Sequence, residues 1–187
     1  MIEESINKSI GIKQKILNDK ETLSKISQCA DMLMDCFKNN GKVLIAGNGG
    51  SAGDAQHFVA ELIGRYKKER KGLPAISLST DSSVLTALSN DYGFEQVFSR
   101  QIVALGNEND VFIGISTSGD SQNIINALSV GKQKNMKTMC LLGKDGGLSK
   151  GNADLDIIVL SDDVARVQEA HIMLIHIICE LIDNKLQ

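Results

Sequence analysis

Five short apolar runs punctuate the chain, and they restrict its fold more than any other feature. They are KVLIAG (42–47), PAISLS (74–79), DVFIGIS (110–116), KTMCLL (137–142) and LDIIVL (155–160). Between and after them, residues 52–65, 82–90, 94–105, 121–134 and 164–186 carry amphipathic or helical patterns. Runs this short and apolar throughout suit strands covered on both faces, whereas a half-exposed sheet alternates apolar with polar. The alternation predicts an α/β fold, a parallel sheet of about five strands flanked by helices, with right-handed crossovers. Ahead of it, Ile2, Ile6, Ile10 and Ile16-Leu17 recur at helical spacing. Leu23, Ile26, Ala30, Leu33 and Phe37 do the same before Asn39-Asn40-Gly41 ends the pattern. Two N-terminal helices over about 1–40 therefore precede an α/β core over about 41–187.

A chain of 187 residues with 42% hydrophobic content suits one domain, 1–187, with a sizeable core. Its one proline, Pro74, offers no interdomain linker. The net charge is −3, and basic residues are dispersed except in Lys67-Lys68-Glu69-Arg70-Lys71. That run is short and mixed, which reads as a solvated loop and argues against a nucleic-acid partner. Cys29, Cys36, Cys140 and Cys179 show neither a CxxC pair nor zinc-finger spacing, so reduced, buried thiols are expected. The start, MIEESINKSIGIKQKIL, has no continuous apolar core, so neither signal peptide nor membrane span is expected there, and the protein is expected to be cytoplasmic. The last helix is apolar nearly all round from Ile172 to Ile182, as a helix central to a domain or buried between subunits would be. On a chain this small, an oligomer is the expectation.

Ligands of an open parallel sheet bind beyond the carboxyl ends of its strands. Three polar loops fall there: G47-N-G-G-S-A-G, S116-T-S-G-D-S121 and G143-K-D-G-G147. Glycine permits close backbone approach, and each following helix offers free amides and a positive dipole end to an anion. The same residue types also cap helices, so one such loop alone supports either reading. The hydroxyls of Ser116, Thr117, Ser118 and Ser121 at one strand end favour a phosphate monoester. Gly47, Gly49 and Ala52 also match the dinucleotide pattern G-x-G-x-x-A. That fold needs an acid at the end of the next strand about 20 residues on, which falls near Lys67, while the first acid after PAISLS is Asp81. No Walker A lysine is present in either loop, and no nucleotide cofactor is expected.

Chemistry must then come from titratable groups near the loops. His57 and Glu61 stand one helical turn apart and share a face just beyond the first loop. Glu61 could equally be a solvated acid paired with Arg65. The other histidines are His171 and His176, and His176 lies between Ile175 and Ile177, where a buried ring needs a polar partner. A core histidine and a functional one are both compatible with that setting.

AGNGGSAGDAQHFVAELIGRY, SNDYGF, ISTSGDSQN, LLGKDGG and RVQEAHIMLIHI, in this order, resemble the phosphoheptose isomerase family, a branch of the sugar isomerase (SIS) proteins. The resemblance runs essentially end to end. It implies a five-stranded flavodoxin-like SIS fold, a homotetramer with active sites at subunit contacts, and a sugar-phosphate substrate. The implied reaction interconverts sedoheptulose 7-phosphate and D-glycero-D-manno-heptose 7-phosphate, toward the heptose of bacterial lipopolysaccharide or capsule. It also implies zinc, at positions matched by His57, Glu61, Gln168 and His176. Positions matching the phosphate site are Ser51, Ser116, Thr117, Ser118 and Ser121. Those matching the sugar site are Asn48, Gly49, Gly50, Asn90 and Asp91, with Glu61 and Gln168 also facing substrate.

Aldose–ketose isomerisation moves a proton between adjacent carbons through an enediol, and needs a base for carbon and an acid–base partner for the oxygens. Glu61 is assigned as the carbon base, and His176 as its partner or as a metal ligand. A carboxylate that binds zinc tightly is not also a free base, so those two roles of Glu61 compete. Gln168 and His176 are separated by about 12 Å of helical rise and about 80° of rotation. One metal meets both only if the side chains lean together or come from different chains. Ala165 departs from the family pattern, which carries an acid before the Arg-hydrophobe-Gln-Glu segment; Asp162 or Asp163 could reach the same space. TDSSVLTALSND is closer to a second SIS group that binds the DnaA replication initiator. That group resembles this chain in its loop and length but lacks a glutamate and a histidine at the places of Glu61 and His176. A non-catalytic SIS protein binding a sugar phosphate or DnaA is therefore the rival reading.

Overall fold

The computed structural model describes residues 1–186. Helices α1 (Ile2–Asn18) and α2 (Lys20–Lys38) come first, and the carboxylate of Asp19 caps α2 by accepting from the Glu21 amide at 3.0 Å. There follow β1 (Val43–Gly47), α3 (Gly50–Ile63), β2 (Ala75–Ser77), α4 (Ser82–Tyr92), a 3-10 turn at Phe94–Gln96 and α5 (Val97–Leu105). The chain continues through β3 (Val111–Ser116), α6 (Gln122–Gln133), β4 (Lys137–Gly143), a 3-10 turn at Gly147–Ser149, β5 (Leu155–Val159) and α7 (Val164–Lys185). All strand pairs are parallel and the order is β2-β1-β3-β4-β5. The strand order reverses between β1 and β3, which opens a crevice beyond Gly47 and Ser116.

The period-two alternation of the strands builds two cores. Val43, Ile45, Ile113, Ile115, Met139, Leu141 and Ile157 face the layer that contains α2, α3 and α7. Leu44, Ala46, Phe112, Cys140 and Leu142 face α5 and α6. Each fully buried Val, Leu, Ile, Phe or Met among them contributes roughly 1.5–3 kcal/mol. The four cysteines are free and buried, as their spacing suggested.

Several sequence expectations are corrected here. PAISLS pairs over only three residues as an edge strand, led by Pro74, whose missing N–H is tolerated there. The 94–105 helix begins as a 3-10 turn after Gly93, whose φ of 88° ends α4. The basic run 67–71 is not a simple solvated loop, because the Arg70 side chain is 7% exposed and paired with Asp183 at 2.7 Å. Helix α7 is central, with Val167, Leu174, Ile175, Ile178 and Ile182 buried, yet Ile177 stays 37% exposed beside half-buried Met173. No described residue of α4 is buried. No helix of the described chain is long and apolar enough to cross a membrane.

Candidate functional site

The first loop crosses the crevice tightly. Gly49 adopts φ 56°, ψ −121°, a left-handed conformation that favours glycine, and as N-cap of α3 it leaves the helix without a side-chain cap. An uncapped N-terminus presents its dipole to an anion. Ser51 is buried in the first turn of α3. Asn48, beside it, makes a reciprocal amide pair with Asn123 at 2.9 and 3.0 Å across the switch point. Asn123 was not found from sequence; its position in the first turn after the hydroxyl loop was the available signal.

The second loop gathers its hydroxyls as expected. Ser116 Oγ lies 3.0 Å from Ser121 Oγ and 3.5 Å from Ser118 Oγ, and it accepts from the Gly119 amide at 3.1 Å. Thr117 is half-buried beside them. Ser121 caps α6 without a side-chain bond, so this helix end is also open to an anion. The third loop serves as a brace. Asp120 accepts from the Leu148 amide at 3.0 Å, the Ser149 amide donates to the Gly119 carbonyl at 2.8 Å, and Gly119 at φ 75° abuts the Gly146 carbonyl.

Helices α3 and α7 bring together His57, Glu61 and His176. His57 Nε2 lies 2.8 Å from His176 Nε2 and 3.3 Å from Glu61 Oε1. The three potential ligand atoms fall within 4.8 Å of one another. This happens within one chain, although the two histidines are 119 positions apart. Glu61 is not paired with Arg65, which meets Glu69 at 3.5 Å instead. Two imidazole nitrogens and a carboxylate oxygen form a donor set suited to zinc, and two facing Nε2 atoms at this distance can share one proton or one cation.

The structural histidine of the last helix is His171, which is fully buried and meets the Leu142 carbonyl through Nε2 at 3.1 Å. Burial pushes its pKa down to about 4, so it is neutral at pH 7. Gln168, two turns before His176, lies against Gly50 at the first loop and hence beside the anion end of the crevice. Asn90 and Asp91 are exposed in the last turn of α4 and bond to each other at 2.8 Å. Asp163 caps α7 through the amides of Ala165 and Arg166, so its carboxylate is engaged, while Asp162 is exposed.

Sequence reasoning missed Asp54, which shares the His57 face of α3. One carboxylate oxygen is buried without a partner, and burial pushes the group up to about 6 despite the opposing influence of His57. Its place three residues before His57 was a readable signal.

Comparison with known proteins identifies the family. The SIS domain model matches residues 8–143. A phosphoheptose isomerase of Helicobacter pylori (strain P12) is 54% identical over 186 residues, which cover 98% of this chain and 97% of that protein. The chain belongs to the phosphoheptose isomerase family of SIS proteins. Two solved members share its fold nearly end to end. The phosphoheptose isomerase GmhA of Neisseria gonorrhoeae has TM-score 0.89 and 43% identity, with 98% of this chain and 97% of that chain covered. A phosphoheptose isomerase of Francisella tularensis has TM-score 0.93 and 39% identity, with 98% and 96% covered. The five-stranded parallel SIS fold expected from the sequence is thus the fold of this enzyme family.

Proposed function

We propose that the chain converts sedoheptulose 7-phosphate to D-glycero-D-manno-heptose 7-phosphate through an enediol(ate). The observation that carries the reading is the meeting, in one chain, of His57 and Glu61 on the helix that leaves the first glycine loop with His176 on α7. The phosphate is read as sitting on the helix ends with Ser51, Ser116, Thr117, Ser118 and Ser121. Glu61 removes a proton from C1 of the ketose and returns it to C2, while His176 moves a proton between the two oxygens, so the isomerisation is neutral in atoms and electrons. The 22% exposure of the Glu61 side chain leaves it open to substrate while partly desolvated. His57, Glu61 and His176, with Gln168 as a further ligand, are also the residues that would hold zinc, a role that competes with proton transfer by Glu61 and His176. When bound it would polarise the carbonyl and stabilise enediolate charge. Asn48, Gly49, Gly50, Asn90 and Asp91 are assigned to the sugar, with Asn48 reaching it by exchanging its bond to Asn123.

The outward position of Asn90 and Asp91 on α4 supports their reaching the site of a neighbouring subunit. An apolar hollow of about 430 Å³ lined by Ile16, Leu17, Leu23, Met173, Ile177 and Leu181 supports further burial on assembly. We read the protein as one cytoplasmic SIS domain, assembled as a homotetramer, that supplies heptose for lipopolysaccharide or capsule. Incubating it with sedoheptulose 7-phosphate should yield the aldose. No turnover with or without added zinc would leave the binding-protein reading in its place.

A further inference from the structure

We propose that Tyr66 is a positioning residue for His176, held against the imidazole by a strap anchored on the buried Arg70–Asp183 pair. The inference rests on the reading of His176 as the acid–base partner. The Tyr66 and His176 rings stack, with centroids 5.6 Å apart and planes at 28°, while His57 meets His176 edge-on at 5.0 Å and 64°. The χ2 torsion of histidine is broad and roughly two-fold, so its rotamer preference alone does not decide which ring nitrogen faces His57. Contacts on the ring must decide it, and a flat aromatic face opposes rotation.

The strap leaves α3 at Gly64 and carries Tyr66 across to α7. Asp183, two turns beyond His176, accepts from the amides of Lys67 and Lys68 at 2.9 and 3.1 Å and from Arg70 Nε at 2.7 Å. The Lys67 ammonium pairs with Glu180 at 2.8 Å, one turn beyond His176. The Arg70 terminal nitrogens donate to the Glu61 and Leu62 carbonyls at 2.8 Å each, which ties down the turn of α3 that bears the proposed base. A buried ion pair often returns little net stability over apolar groups of similar volume. What this one supplies is register, because a single guanidinium joins the Glu61 turn, the Tyr66 strap and the His176 helix.

The test compares Tyr66→Phe, Tyr66→Ala and Asp183→Asn in the full chain, with Tyr66→Leu in reserve should the alanine variant fail to fold. Tyr66→Ala should lower kcat about 10- to 100-fold and leave KM within about twofold, as for a misplaced catalytic group. Tyr66→Phe, which keeps the ring, should restore kcat to within about threefold. Joining Tyr66→Ala to Asp183→Asn should reduce kcat by less than the product of the single effects, since both act on one contact. Independently of turnover, NMR signals of the His176 ring protons should move downfield in Tyr66→Ala and stay in place in Tyr66→Phe. Wild-type kcat in Tyr66→Ala, equal damage from Phe and Ala, or unmoved ring signals would each overturn the inference. An inactive wild-type protein would instead overturn the isomerase reading, and the ring signals would still decide whether Tyr66 orients His176.

Discussion

Asp183→Asn should cost more stability than its conservative size suggests. The wild-type carboxylate is 2% exposed and meets the Arg70 guanidinium and two backbone amides. Removing one charge of a buried pair leaves the other uncompensated, at about 3–5 kcal/mol. Asparagine keeps one carbonyl oxygen for the amides, so the lower end, about 3 kcal/mol, applies. With a urea m-value near 2 kcal/mol/M, the midpoint at pH 7 should fall by about 1.5 M, measured at fixed protein concentration because assembly shifts it too. Burial alone would raise the Asp183 carboxyl, but the Arg70 hydrogen bond and the Lys67 and Lys68 amides outweigh it and hold the group below the usual carboxylate range. A depressed native pKa contributes stability that is complete above the unfolded value, about 4, and drains away as pH falls through the native value. The gap between wild type and variant should therefore be widest near neutrality and narrow in acid below about pH 4. A midpoint shift under about 0.3 M at pH 7, or a gap that widens in acid, would refute the assignment of a desolvated, charge-paired anchor.

Asp54 should behave oppositely, since burial raises its pKa to about 6. Its penalty is absent below about pH 4 and complete above the native pKa, so Asp54→Asn should raise stability by about 1 kcal/mol at pH 8 and by nothing at pH 4, a figure reduced for solvent screening. Thermal melts at the two pH values check this. Gly119→Ala would place a Cβ against the Gly146 carbonyl in a left-handed backbone at φ 75°. It should cost about 1–3 kcal/mol and weaken sugar-phosphate binding, read by melting and by calorimetric titration, because the hydroxyl loop loses its brace.

The sheet was legible because its strands are buried on both faces, so their apolar runs stand out without knowledge of partners. β2 was overdrawn, since Leu78 and Ser79 are apolar and small enough to extend the pattern but lie past the last paired residue, Ser77. The hydroxyl loop was readable from local composition, and the His57–Glu61 face from helical spacing. The division of labour between His171 and His176 was not legible from local pattern, and only the family resemblance singled out His176. Both sit in one apolar helix five positions apart, and only the packing of α7 turns one toward the Leu142 carbonyl and the other toward α3. The Arg70–Asp183 anchor was hidden for a related reason, its partners being 113 positions apart and its arginine set in a run of surface charges.

Solvent-proton exchange in Glu61→Gln tests the central claim most directly. With sedoheptulose 7-phosphate in deuterium oxide, the wild-type protein should wash deuterium into the substrate carbon that is deprotonated. The variant keeps the shape and the phosphate loops but has no carboxylate to take the proton. The account predicts no exchange above background with phosphate binding largely intact, and exchange at the wild-type rate would contradict it.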